Sequence, residues 1–215
     1  MQPIQDKIPV GIITGFLGAG KTTLLNNLIR EYPGKRFAII ENEFGEIGLD
    51  SELVLNVDNN NIFELANGCI CCSLNEDLAD LVKDLLLTDK PFDHLLIETT
   101  GIADPSSVVQ PFFSDPDIRT TFTVDSVICL VDALHFKHCF KEQEEVHRQV
   151  AMADLILLNK AGDTDDNSLT ETREALQSMN PHAEIIQTDH ADIGNHSILD
   201  RQAYRTDRVG SFTLD

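Results

Sequence analysis

The segment Gly15-Phe16-Leu17-Gly18-Ala19-Gly20-Lys21-Thr22 constrains this chain more than any other. Its glycines, lysine and hydroxyl residue stand in the order of the Walker A phosphate loop, after an apolar run and before a helical pattern. Glycines let backbone N–H groups wrap a phosphate at a helix N-terminus, where the helix dipole also favours an anion. In that arrangement Lys21 neutralises the β- and γ-phosphates, and the Thr22 hydroxyl is placed to ligate Mg²⁺. Gly15, Gly18, Ala19, Gly20, Lys21 and Thr22 are therefore candidate nucleotide-binding residues. Such a loop needs a buried strand entering it and a helix leaving it, so it also bounds the fold.

The remaining pattern agrees. Val10–Thr14, Phe37–Ile40, Ile62–Leu65, His94–Glu98, Ser126–Val131, Leu155–Leu158 and Glu184–Gln187 are short apolar runs, continuous rather than alternating, as in strands buried on both faces. Helical patterns lie between them near 21–31, 74–87, 106–113, 138–150 and 169–179. The 74–87 segment puts Leu74, Leu78, Leu81, Val82 and Leu85 on one face, and Ser73 with Glu76 forms a capping-box pattern at its start. Strand–helix alternation predicts an α/β P-loop fold, a mostly parallel sheet with helices on both faces. Residues 1–190 are read as this domain and 191–215 as a polar tail; Gly210 to Asp215 resembles the opening of a further strand, leading toward another domain.

Composition narrows the partners. Among 215 residues, 36 are acidic and 16 basic, a formal net charge of −20, with no basic cluster longer than Lys35-Arg36. Nucleic acid and anionic membranes both call for Lys/Arg patches, so neither is expected as a partner. The apolar run Ile8 to Ala19 contains glycines, lacks a basic leader and continues into the phosphate loop, so it reads as a strand rather than a signal peptide. Five cysteines, three within four positions, favour metal or redox chemistry in a reducing, cytoplasmic setting over a disulfide framework.

Further chemistry is carried by three segments. Glu98 ends an apolar strand and Gly101 follows three residues later, the spacing of a loop whose glycine N–H senses a γ-phosphate while the carboxylate serves the Mg²⁺ side. Asn67-Gly68-Cys69-Ile70-Cys71-Cys72-Ser73 precedes a capped helix, where the dipole eases thiolate formation; Cys69, Cys71 and Cys72 are spaced to converge on one soft or borderline ion such as Zn²⁺. Glu41 to Asp50 follows a strand and is rich in carboxylates and glycine; its residues fit a switch segment ligating a cation or a solvated loop. His135, His138 and Cys139 are weaker candidate ligands, and Cys129 inside an apolar strand reads as core.

Taken in order, Thr14 to Thr23, Glu41-Asn-Glu-Phe-Gly-Glu46, Asn67-Gly-Cys-Ile-Cys-Cys72 and Glu98-Thr-Thr-Gly-Ile-Ala-Asp-Pro105 resemble the CobW-type metallochaperone GTPases, relatives of the nickel-insertion GTPases of urease and hydrogenase. The resemblance runs over nearly the whole chain. It implies GTP hydrolysis and delivery of zinc or cobalt to a client protein, with a nucleotide-dependent homodimer as a further expectation. On this likeness Thr22 holds Mg²⁺, Thr23 completes the phosphate loop, and Lys21, Thr22, Glu98 and Gly101 form the hydrolytic machinery. Cys69, Cys71 and Cys72 form the transfer-metal cluster, with Glu41 and Glu46 in the switch that reads nucleotide state. The guanine-reading motif of the family is Asn-Lys-x-Asp; here it is Asn159-Lys160-Ala161-Gly162, and Asp163 reaches the base only if the loop bulges by one residue.

Two other classes compete. One is a different P-loop enzyme, such as a small-molecule kinase with a structural zinc, which calls for arginines over a phosphoryl acceptor that this sequence does not cluster. The other is a nucleotide-gated adaptor whose cysteines sense redox state.

Overall fold

The continuous apolar runs become neighbours in one sheet. The computed structural model describes residues 7–41, 62–66, 74–87 and 91–204. The strands are β1 (Ile8–Gly15), β2 (Phe37–Glu41), β3 (Ile62–Ala66), β4 (His94–Glu98), β5 (Phe122–Asp132), β6 (Leu155–Asn159) and β7 (Glu184–Gln187). They lie in the order β3-β2-β4-β1-β5-β6-β7, every pair parallel. A parallel sheet must be covered on both faces, which is why its strands are dominated by Ile, Leu and Val, with polar residues mostly at their ends.

The helices are α1 (Lys21–Glu31), α2 (Leu74–Leu86), α3 (Pro105–Val109), α4 (Pro111–Ser114), α5 (Pro116–Thr121), α6 (Phe136–Glu142), α7 (Glu144–Met152) and α8 (Asp166–Met179). One layer packs Leu24, Leu25 and Leu28 of α1 on Ile13, Leu96 and Leu157. Another packs Leu78, Leu81, Val82 and Leu85 of α2 on Ile12, Ala38 and Ile97.

Two expected helices are broken, for local reasons. In place of the expected 106–113 helix stand α3 and α4, with α5 following them, each with a proline in its first turn; Asp104 caps α3 through Ser106 N–H, and Asp115 caps α5 through Asp117 and Ile118 N–H. The segment 138–150 divides at Gln143, whose backbone is extended. The N-terminal Ser73 of the expected capping box lies outside the described residues.

The stretch after 190, read from the sequence as a polar tail, packs as core as far as residue 199. Ala191, Ile193, Ile198 and Leu199 are buried against α1 and the sheet. Asp125 sits where β5 bulges out of register with β1 between Val10 and Gly11. There it grips the following segment: Gln202 N–H donates to its carboxylate at 2.6 Å, and Ala203 and Tyr204 N–H to its carbonyl. Four scattered apolar residues separated by polar ones carry no period, which is why sequence pattern misses them. Substituting Ile198, fully buried, by Ala is expected to cost about 2–5 kcal/mol in urea unfolding. The exposed His196→Ala should cost under about 0.5 kcal/mol.

His94 opens β4 at the sheet edge opposite the phosphate loop. Its ring is fully buried beside Phe37, with Asp125, Asp200 and Lys35 as the charged groups around it. Burial pushes its pKa down to about 4, against partial compensation by Asp125 and Asp200. The unfolded chain takes up this proton at its ordinary value near 6.5 while the folded chain refuses it. Stability is therefore expected to fall as pH drops from about 6.5 to 4, by up to about 1.4 kcal/mol per pH unit from this group. His94→Phe should flatten that slope in denaturant titrations. Asp93, held at about 2 by Arg36, adds a slope of the same sign only at the acid end of this window, where the unfolded carboxyl begins to take up its proton.

Candidate nucleotide site

β1 delivers the phosphate loop to the C-terminal edge of the sheet. Gly15 is the point of closest approach, since a Cβ there would lie 2.3 Å from the Leu130 carbonyl oxygen. Gly20 caps α1 with φ at 107°, in the left-handed region that favours glycine, and a Cβ would meet the Asn159 carboxamide at 2.6 Å. Gly18 has φ at 75° and open space around it, leaving its side of the loop accessible to a phosphate. Ala19 is buried, and Thr23 is exposed at the third residue of α1. Lys21 is nearly buried, and its ammonium donates to the Gly15 carbonyl at 3.0 Å and the Phe16 carbonyl at 3.4 Å, so it already spans the loop whose bound phosphates it would neutralise.

The Mg²⁺ side is equally local. Thr22 Oγ1 donates to Glu98 Oε1 at 3.0 Å. Thr99 is tied to β1 by its N–H to the Ile13 carbonyl and by a hydroxyl contact to Thr14. Glu98 pairs across the ladder with Glu41, and Glu41 with Ala66, so two carboxylates leave adjacent strand ends side by side. A hydroxyl with carboxylates behind it is an oxygen-donor set suited to Mg²⁺. Glu46, Cys69, Cys71 and Cys72 lie outside the described residues.

Gly101 is buried where a Cβ would strike the Leu17 N–H at 2.6 Å. Its loop is held by Gln149, an almost fully buried residue of α7 that donates one amide to the Gly101 carbonyl at 3.0 Å and the Ala103 carbonyl at 3.2 Å. Sequence reasoning missed Gln149. The signal was a glutamine on the same helical face as Val146 and Val150, an amide where the period demands an apolar residue.

On the opposite flank, Asn159 ends β6. Its amide donates to the Ala19 carbonyl at 2.9 Å, and its oxygen accepts from Ala191 N–H at 2.9 Å and the Thr188 hydroxyl at 3.3 Å. Lys160, in the left-handed region at φ 60°, reaches Asp132 at 2.6 Å. Ala161–Asp163 forms a single 3-10 turn. His135 turns its ring to the same Asp132 at 3.0 Å, and no three His, Cys, Asp or Glu side chains among the described residues are grouped to hold a metal. Cys129 is core, its thiol pushed up to about 12 by burial.

The family model for the CobW/HypB/UreG nucleotide-binding domain matches residues 9–187. The chain belongs to the CobW/HypB/UreG family. Within that family it is 42% identical over 196 residues to the zinc chaperone YjiA of Escherichia coli (strain K12), covering 88% of this chain and 60% of YjiA. It is 36% identical to the zinc chaperone CobW of Pseudomonas aeruginosa, covering 87% of this chain and 58% of that protein. The crystal structure of zinc-bound YjiA GTPase superposes with a TM-score of 0.70 at 32% identity, over 94% of this chain and 64% of that one. The chain thus spans about three fifths of the length of these relatives. Hydrogenase maturation factor HypB of Archaeoglobus fulgidus shares the fold, with a TM-score of 0.57 at 23% identity. The phosphate loop, with Thr22 and Glu98 hydrogen-bonded beside it, is the candidate nucleotide site. Among the described residues no helix is long and apolar enough to cross a membrane.

Removing the Asn159 carboxamide unties the phosphate loop from β6 and leaves the Ala191 N–H and Ala19 carbonyl without that partner. Asn159→Ala is expected to lower GDP affinity at least about tenfold in calorimetric titration and to cost about 1–3 kcal/mol in stability.

Proposed function

We propose that this chain is the GTP-hydrolysing domain of a zinc chaperone that carries Zn²⁺, or Co²⁺, on Cys69, Cys71 and Cys72 and passes it to a metal-requiring client protein. The observation that carries the reading is the row of strand ends Ala66, Glu41 and Glu98 beside Thr22. The strand that ends at Ala66 continues in sequence to Cys69 after three residues, which limits the distance between their Cα atoms to roughly 11 Å. Neighbouring strand ends lie about 4.8 Å apart, so a change at Glu98 or Glu41 is within reach of the chain entering the cysteines. The zinc chaperones YjiA and CobW, both over a third identical, support zinc as the cargo.

Mg²⁺ on Thr22 would supply charge neutralisation for the β- and γ-phosphates. Lys21 gives up its carbonyl contacts to the phosphates, and the Gly101 N–H, kept in place by Gln149, faces the terminal phosphate. Glu98 then holds the Thr22 side of the site while Glu41, its ladder neighbour, passes the nucleotide state to the segment after β2 and to the cysteines. Loss of the γ-phosphate relaxes this set and loosens the metal site. An open fourth ligand position suits transfer, because a client ligand attacks before the last sulfur leaves. A nucleotide-dependent homodimer is the remaining element of the proposal: a second copy is one source of that ligand.

Co²⁺ reports such a site by thiolate charge-transfer absorption. Metal affinity is expected to be tightest with a GTP analogue and weaker with GDP or no nucleotide, and to be lost in Cys71→Ala and Cys72→Ala. Affinity indifferent to nucleotide indicates a structural zinc; affinity surviving both substitutions removes the cysteine site altogether.

A further inference from the structure

Position 162, where the family motif carries its base-reading carboxylate, is glycine, and the space beside it is already filled by a carboxylate. A Cβ on Gly162 would lie 2.9 Å from Asp189 Oδ2 and 3.3 Å from both Oδ1 and Cγ of the same side chain. The Gly162 N–H donates to Asp189 Oδ1 at 2.8 Å. Asp189 therefore presents its carboxylate within about 3 Å of where a side chain at 162 would begin. It does so from β7's following loop, 27 residues away. We propose that Asp189 reads the guanine edge in place of a carboxylate at position 162.

The placement of Asp189 is fixed on both sides. Thr188 N–H donates to the Leu158 carbonyl, and Ala161 N–H to the Thr188 carbonyl, lacing its loop to the 3-10 turn. Beyond it, His190 and Ala191 both sit in the left-handed region at φ 52°, a costly conformation for residues with a Cβ. Two buried asparagines hold it: Asn27 donates to the carbonyls of His190 and Ala191 at 3.0 and 2.9 Å, and Asn159 accepts from Ala191 N–H. Asn159 is also the residue that touches the phosphate loop, so the loop carrying Asp189 is registered against the phosphates through one side chain.

The chemistry favours guanine. Guanine offers adjacent donors, N1–H and the exocyclic N2–H₂, and an ionised carboxylate accepts both. Adenine offers an acceptor at N1, which a carboxylate repels. Asp189 is exposed, and one N–H from Gly162 uses one of its roughly four acceptor positions, leaving capacity for two base donors. Asp163 is the competing carboxylate. It is exposed at the end of the 3-10 turn, one position beyond the family's reading position.

The inference rests on the nucleotide site and is independent of the cysteine metal site, so a failed zinc measurement leaves it standing. Its test is the affinity of the full chain for GDP, ADP and XDP. The native chain should prefer GDP to ADP. Asp189→Ala should lower GDP affinity by about tenfold or more while ADP affinity, an internal check on folding, stays unchanged. Asp189→Asn should shift preference toward XDP, whose C2 carbonyl accepts from the carboxamide; misfolding cannot produce that gain. Adding Gly162→Asp to Asp189→Ala, which clears the space that position 162 needs, should restore the GDP preference. Asp163→Ala should leave it untouched. A GDP-to-ADP ratio within twofold of the native chain in Asp189→Ala, or one abolished by Asp163→Ala, would overturn the assignment.

Discussion

The carboxamide of Asn159 joins three parts of the molecule that share no sequence neighbourhood: the phosphate loop at Ala19, the end of β6 that carries it, and the loop after β7 through Thr188 and Ala191. Each partner is a backbone or hydroxyl group buried away from water, where an unmade hydrogen bond costs more than a made one contributes. That asymmetry explains the residues around it. Gly20 is glycine because a Cβ would collide with the carboxamide, and Ala191 tolerates a left-handed backbone because Asn159 and Asn27 hold it there. In the proposed reading, the loops for phosphate binding and base reading are thus held by one side chain, which the end of β6 positions.

The other flank of the phosphate loop is built differently. Where Asn159 fixes, the Thr22–Glu98–Glu41 line is a set of oxygen donors, which the proposed mechanism has a cation and a phosphate rearrange. Gln149 keeps the Gly101 loop packed against Leu17. A static base-reading side and a responsive phosphate-reading side together give the proposed chaperone what it needs: nucleotide identity read once, nucleotide state passed on to the strands that lead into the cysteines.

Much of this was legible from residues alone. The seven strands follow from continuous apolar runs, because parallel strands buried on both faces cannot alternate, and the phosphate loop is recognisable from its glycines and its flanks. Helix ends were less legible: Gln110-Pro111 and Gln143 interrupt patterns that otherwise read as continuous. The buried stretch Ala191–Leu199 and the meeting of Gly162 with Asp189 were not legible at all. Both depend on which loops a doubly wound sheet brings together at one edge, and a contact across 27 residues leaves no local period. Gln149 was visible only as an anomaly, a polar residue on an apolar face.

Linkage between the nucleotide and the metal has to be reciprocal, so whatever factor GTP contributes to zinc binding, zinc returns to GTP binding. The most direct measurement is therefore the affinity of a non-hydrolysable GTP analogue, and of GDP, with and without saturating Zn²⁺. Coupling through Glu41 and Glu98 predicts that zinc tightens the analogue, leaves GDP nearly unchanged, and loses its effect when Cys71 and Cys72 are both replaced by Ala. Equal analogue affinity with and without zinc would contradict it.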